Sequence, residues 1–369
     1  MIDRDAFERA GLYDPTAPNA AQRLELLEFL VGEGVSLERM AATHASDEHT
    51  LTGVLADGLL RPGEAITLVE VARRLDLPPE TVERTLLAVG IPVRDHSAAV
   101  LRPEDVDTFA AFQFGVAMFG ERAMLQLGRV IGSSVARIAE AAVWLYTEHM
   151  EQPIVESAQS EVVLAKANVE ATQSLTVLAA AIEHLFRVHA ELAIRHVRAA
   201  RAGLDTYTTA RLAIGFVDLV GYTGLAERAE TEELARVIDH FEALAYDVVT
   251  ERNGRVVKLI GDEVMFVALD PTAACDIALT LLEAHADHEE HVTPRGGVAF
   301  GELLIRGADY YGSTVNLASR IGDLAVPHEI LATAELRDAV AGYAFAPAGR
   351  RLLKGFDEPV ELFSLSRSD

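Results

Sequence analysis

From residue 1 to about 205 the apolar positions recur at helical spacing. Leu24, Leu26, Leu27, Leu30 and Val31 form a first amphipathic stripe after the turn residues Asp14, Pro15 and Pro18. Residues 64–90 predict helix, turn, helix: Leu68 to Leu75, then a second helix opened by Pro78 and Pro79 and running to about Ala88. Residues 103–150 continue as helices, with Gly115, Gly120, Gly128 and Gly132 as weak points. From 155 to 200 no Pro or Gly interrupts the pattern, which predicts one long connecting or dimer-forming helix.

The pattern changes near residue 205. Arg211 to Val220 is an apolar, strand-like run. Thr231 to Arg252 predicts a helix with Leu234, Val237, Ile238, Phe241, Leu244 and Val248 on one face, stopped by Asn253-Gly254. Strands follow over 255–260 and 263–268 around a Gly261-Asp262 turn, then a helix from Asp270-Pro271 to about Ala286. Two strands, 296–300 and 302–306, are expected to flank Gly301. Helices start at Ser313 and Thr333, and strands near 343–348 and 359–365 end the series. This order predicts an α+β fold with a ferredoxin-like layer. The expected division is an all-helical domain over 1–150, a connecting helix over 151–205 and an α+β domain over 206–369.

The 369 residues allow two or three domains at roughly 150 each. Acids outnumber bases 57 to 32, a net charge of −25, and both halves are negative. That argues against nucleic acid and against an anionic membrane surface as main partner, since both demand Lys and Arg. Cys275 is the one cysteine, which excludes an intramolecular disulfide and fits a reducing compartment. No signal-peptide pattern and no apolar run of about 18 residues is present, so the expectation is a cytoplasmic chain without a membrane span. Of the bases 29 are Arg; Lys166, Lys258 and Lys354 are the three Lys, and each asks for a reason.

Four segments carry candidate chemistry. Asp218 lies inside the apolar run Phe216-Val217-Asp218-Leu219-Val220-Gly221, where a carboxylate is costly unless paired or metal-bound; capping of the following turn is the alternative. In Lys258-Leu259-Ile260-Gly261-Asp262-Glu263, Lys258 replaces the expected Val or Ile, and Asp262 follows Asp218 by 44 residues. Carboxylates on adjacent strands can converge on Mg²⁺ or Mn²⁺, hard cations that also take phosphate oxygens. Asp309-Tyr310-Tyr311-Gly312-Ser313 leads into a helix bearing Asn316 and Arg320 four apart on one face, a pattern also met on ordinary solvated faces. Lys354 precedes Gly355 near the last strands.

Together these segments, from Arg211 to Leu365, resemble the class III nucleotide cyclases of the adenylyl cyclase branch in order, spacing and residue type. The resemblance implies a ferredoxin-like catalytic domain working as a head-to-tail homodimer on ATP. It implies two metal ions per active site on Asp218 and Asp262, one also taking the Leu219 carbonyl. Lys258 and Asp309 would read the purine, Asn316 orient the ribose, Arg320 meet the reacting phosphate and Lys354 the outer phosphates. The metal-binding Asp pair and the remaining groups would come from different chains. Hydrogen-bond polarity agrees with ATP: adenine offers an acceptor and a donor, matched by donor-only Lys258 and acceptor-only Asp309, whereas guanine offers the reverse.

Phe7 to Pro15 and the apolar helix after it resemble the regulatory domain of soluble bacterial cyclases, a group described as autoinhibited and pH-responsive, some members binding fatty acids. That resemblance implies gating of the catalytic domain by the first half. His184, His189 and His196 lie on the expected long helix, and histidine titrates in the cellular pH range. The apolar stretch 112–146, with Phe114, Met118, Phe119 and Trp144, suits a core, a dimer interface or a fatty-acid pocket, the first two being the ordinary use of such stripes. The helix-turn-helix resembles a DNA-reading module, but residues 64–110 hold nine acids and five Arg, which favours a packing scaffold. The competing function is a helix-turn-helix ligand sensor whose cyclase-like domain only dimerises or binds nucleotide; the intact Asp218, Asp262, Asn316 and Arg320 set weighs against it.

Overall fold

The computed structural model describes residues 4–45, 50–93, 95–157, 159–200, 209–284 and 292–368. The chain divides into two compact units, Met1–Val188 and His189–Asp369. The first contains α1 (Arg4–Arg9), α2 (Ala20–Gly32), α3 (Leu37–His44), α4 (Val54–Leu60), β1 (Ile66–Thr67), α5 (Leu68–Leu75), α6 (Pro79–Ala88), β2 (Ala99–Leu101), α7 (Asp105–Phe119), α8 (Glu121–Tyr146), α9 (Gln152–Glu156) and most of α10 (Glu161–Ala200). Side chains close the helix starts: Ser36 accepts from the Arg39 amide and Thr67 from the Glu70 amide. Pro79 occupies the first turn of α6, where its missing N–H costs nothing.

Two cores form in this unit. One joins Phe7, Leu26, Leu27, Leu30 and Met40 to Val162 and Ala165 of α10. The other gathers Leu68, Val71, Val82, Leu86, Leu101 and Phe109 around α5 and α6. Each fully buried Leu or Met contributes about 1.5–3 kcal/mol against exposure. Phe114, Met118 and Phe119 of α7, Leu127, Val135 and Trp144 of α8, and Val177, Leu185 and Phe186 of α10 remain exposed in the single chain. The expected uninterrupted helix from 155 is shorter: α9 ends at Glu156 and α10 begins at Glu161. At the end of α9 the Pro153 carbonyl accepts from the Ser157 amide at 3.1 Å and from its hydroxyl at 2.6 Å, and the hydroxyl also reaches the Ile154 carbonyl at 3.1 Å, so the side chain caps the last turn.

The second unit contains β3 (Thr209–Val220), α11 (Tyr222–Ala226), α12 (Thr231–Glu251), β4 (Gly254–Ile260), β5 (Glu263–Ala268), α13 (Pro271–Ala284), β6 (Thr293–Arg306), β7 (Asp309–Tyr311), α14 (Ser313–Leu324), β8 (Ile330–Thr333), α15 (Ala334–Ala339), β9 (Tyr343–Arg351) and β10 (Val360–Arg367). The eight strands form one sheet, ordered β4-β5-β3-β6-β8-β10-β9 with β7 on β6. Among the described strands of this sheet only the β6–β8 pair is parallel, joined across α14. Central β3 is covered on both faces. Ala213, Val217 and Leu219 pack with Val237, Phe241 and Ala245 of α12 and with α13. Ala210, Leu212, Ile214 and Phe216 pack with Ala299, Leu303 and Ala318 of α14. Burial on both faces explains the continuous apolar run in place of alternation.

The expected break at Gly301 is absent: β6 runs unbroken and pairs β3 from Thr209↔Leu304 to Val220↔Thr293. Gly301 serves a close approach instead, since a Cβ there would lie 2.8 Å from the Thr314 hydroxyl of α14. Strands β7 and β8, short and bounded by turns, were not expected from the pattern. Among the described residues no helix is long and apolar enough to cross a membrane.

Candidate active site

Asp218 stands near the end of β3, opposite Glu263 of β5 and Arg295 of β6. Gly221, at φ 96°, turns the chain directly after it, a conformation that strains any residue with a Cβ. Asp262 lies in the Gly261-Asp262 turn between β4 and β5, and its carbonyl accepts from the Leu219 amide at 3.2 Å. That bond fastens the two motifs side by side. Arg295 Nε donates to Asp218 Oδ1 at 3.1 Å, and its Nη2 to Oδ2 at 3.2 Å. Its Nη1 reaches the Asp323 and Ala325 carbonyls at 3.0 and 3.1 Å, at the end of α14.

Four carboxylates, Asp218, Asp262, Glu263 and Asp323, thus gather around one guanidinium. Burial raises the Asp218 carboxyl above its ordinary range; Arg295 opposes this, and Asp262 and Asp323 add to it. Burial also raises Asp262, against its own backbone amide and Arg295. Glu263 is pushed up to about 7, by burial first and then by Asp218, Asp323 and Asp262. Among the described residues no three carboxylate, histidine or cysteine side chains stand close enough together to hold a metal ion as placed, but the mutual repulsion of these half-buried carboxylates is what a divalent cation would offset. Asp218, Asp262 and the Leu219 carbonyl are the groups such a cation would use.

A second cluster joins β4 to β7. Lys258, where the β4 register shifts, donates to Asp309 Oδ2 at 2.8 Å across 51 residues of sequence. Asp309 begins β7, reached from β6 through Gly307 and Ala308, both left-handed at φ 61° and 64°. This two-residue turn matches the twist of its hairpin. Arg255 holds it: its Nη2 donates to the Ala308 carbonyl at 3.0 Å, and its guanidinium lies 5.1 Å from the centre of the Tyr310 ring. Asp309 Oδ1 accepts from the Tyr310 amide, leaving the carboxylate fixed at both oxygens.

Asn316 is exposed and Arg320 half-buried on α14, and Lys354 is exposed on the β9–β10 connection. Among the described residues no hydrogen bond or ion pair links these three to the two clusters. Helix α14 is seated against β6 by glycine: a Cβ on Gly297 would lie 2.4 Å from the Ala318 carbonyl and the Gly322 amide. His184, His189 and His196 are exposed on α10. Glu263, Arg295, Asp323 and Arg255 carry no role in the sequence reading. A signal for Arg295 is its position, a charge directly ahead of the apolar run Gly296 to Phe300.

Residues 9–196 match the family model described as "Adenylate cyclase regulatory domain", and residues 204–367 that described as "Adenylate and Guanylate cyclase catalytic domain". An uncharacterized protein of Mycobacterium tuberculosis is 32% identical over 365 residues, 99% of this chain and 94% of that protein. A "pH-sensitive adenylate cyclase" of the same species is 27% identical, over 94% of this chain and 88% of that protein. An adenylate cyclase of Streptomyces coelicolor is 36% identical over 235 residues, 63% of this chain and 60% of that protein. Among solved structures, the adenylyl cyclase CyaB from P. aeruginosa is 23% identical, over 44% of this chain and 97% of that one, with a TM-score of 0.40.

Proposed function

Since the chain belongs to the class III adenylate cyclases, with a regulatory domain ahead of the catalytic domain, we propose that it converts ATP to 3′,5′-cyclic AMP and pyrophosphate at sites shared between two copies of itself. The domains of this reading are a helical regulatory part over 1–150, a connecting helix over 151–205 and the catalytic part over 206–369. The observation that carries the choice of ATP is the Lys258–Asp309 pair, a donor beside an acceptor 2.8 Å apart, the polarity adenine requires.

In this reading Asp218, Asp262 and the Leu219 carbonyl hold two Mg²⁺ or Mn²⁺ ions, which, when bound, neutralise phosphate charge and acidify the ribose 3′-hydroxyl. Arg320 gives charge-assisted hydrogen bonds to the α-phosphate as charge accumulates there. Asn316 orients the ribose so that its 3′-oxygen stands in line with the departing pyrophosphate. Lys354 meets the outer phosphates. The exposed apolar faces of α7, α8 and α10 suit a second copy of the chain, with a fatty acid as the other candidate occupant. The regulatory part gates activity, with pH, a lipid or both as the signal, in a cytoplasmic setting.

The test is complementation. Purified protein with MnATP is expected to yield cyclic AMP and pyrophosphate, and Asp218→Ala and Arg320→Ala to reduce this at least about 100-fold each, as loss of metal and transition-state contacts does. Mixing the two inactive variants rebuilds one intact composite site per mixed dimer and restores activity. No recovery, once subunit exchange is demonstrated, would mean that each chain builds its own site.

A further inference from the structure

The amino-terminal unit holds a cavity of about 380 Å³, set where elements of its two cores adjoin. Arg39 and Thr43 of α3, Asp57 and Gly58 of α4, Arg61 at the end of α4, and Arg102 just after β2 line it. Three arginines facing one cavity stand out in a chain of net charge −25.

Backbone carbonyls hold these guanidiniums in place. Arg39 Nη2 donates to the Val54 carbonyl at 3.0 Å. It lies flat on Gly58, where a Cβ would come within 2.5 Å of that nitrogen. Arg102 Nε donates to the Arg61 carbonyl at 3.1 Å and its Nη1 to the Leu101 carbonyl at 3.4 Å. Arg61 Nη1 donates to the Val100 carbonyl at 3.3 Å, and its Nη2 pairs with Asp105. A carbonyl orients a guanidinium without cancelling its charge. Among the described lining residues three arginines face one carboxylate, Asp57, and Asp105 outside the lining pairs with Arg61. Each Arg has five N–H donors, more than these contacts consume.

We propose that this cavity binds a small molecule through a phosphate or carboxylate group. Oriented guanidiniums recognise such oxyanions through paired, charge-assisted hydrogen bonds, and the Thr43 hydroxyl adds a donor. The volume suits a small metabolite, and the lining has no aromatic ring on which a nucleobase would stack. The site is independent of the catalytic reading, and it lies apart from the apolar stretch 112–146.

Full-length protein is titrated with inorganic phosphate, with 3-phosphoglycerate and with acetate, each against sodium chloride of matched ionic strength, following heat of binding and melting temperature. Saturable binding beyond the chloride control is expected, and the anion that binds best tells phosphate from carboxylate. Arg39→Gln and Arg102→Gln should each weaken it about tenfold, the loss of one charge-assisted contact. Gly58→Ala keeps every charge and suits a helix interior, yet displaces the Arg39 guanidinium; it too should weaken binding while the anion-free melt stays in place. A response no greater than that to chloride would overturn the proposal. So would binding that survives all three substitutions, because the anion would then sit elsewhere, the catalytic half included.

Discussion

Glu263 shows how far one side chain can be displaced by its neighbours. Its carboxyl titrates near 7 in the folded chain against 4.5 ordinarily, so between those values the folded state holds a proton that the unfolded state has released. Unfolding then releases protons, and the stability of metal-free protein falls as pH rises from 4.5 to about 7. Below that window the group is neutral in both states and contributes nothing. Discounted for partial exposure, the loss is about 1–2 kcal/mol. Melting of metal-free wild type and Glu263→Gln from pH 4 to 8 checks it: the wild-type slope should be the steeper, and equal slopes would remove Glu263 from the account. The Lys258–Asp309 pair makes a second prediction at this scale. Lys258→Glu with Asp309→Cys substitutes an acceptor for a donor and a weak donor for an anion. ATP turnover should fall far more than GTP turnover, and an unchanged ratio would take both residues out of base selection.

Helix α14 carries Asn316 and Arg320, and its seat on β6 depends on the absence of a side chain at Gly297. A Cβ there meets backbone atoms of α14 at 2.4 Å, and backbone yields less readily than a flexible side chain. Gly297→Ala should therefore lift the helix, cost about 1–3 kcal/mol as overpacking does, and lower turnover more than base preference. Denaturant unfolding and kinetics with both nucleotides measure the two effects; full stability with full activity would deny this contact a positioning role. The same contact marks what the sequence conceals. Strand β3, helix α12 and the β4–β5 hairpin were legible because a buried run, an apolar stripe and a Gly-Asp turn are local signals. The break expected at Gly301 was a misreading: a strand glycine signals either a turn or a close approach, and Thr314 decides between them only in three dimensions. Likewise Asp218 and Lys258 stood out as polar residues in apolar runs, whereas Asp262 and Asp309 sit at turns and drew their expected roles from the family resemblance. Arg295, Asp323 and Arg255 matter through partners up to 77 residues away, which no local pattern records.

At the scale of the molecule, α10 is a single helix from Glu161 to Ala200 whose residues contribute to both compact units. A helix of 40 residues transmits a change of packing along its length better than a loop does. In the proposed reading the site is shared by two chains, an arrangement that would tolerate little misalignment, so a small shift would be enough to switch it. His184, His189 and His196 are exposed on this helix, and the latter two, seven apart, share nearly one face. Histidine is the residue type that gains positive charge on acidification, and charge gained on one face of a helix biases one packing against another. The expected outcome is activation by acid that depends on the first half of the chain. It is measured as activity against pH for the full-length protein, for residues 206–369, and for the full-length protein with His189→Asn and His196→Asn. The second unit has its own core, built from Val217, Phe241, Phe266, Ile277 and their neighbours, so the short form is a fair control. Gating requires the full-length profile to be steeper than that of 206–369, and the double variant to flatten it. Coincident profiles would assign the whole pH response to the active site, where Glu263 already titrates near 7. A difference that survives the double variant would place the sensor elsewhere in residues 1–205, and α10 would then carry the signal without originating it.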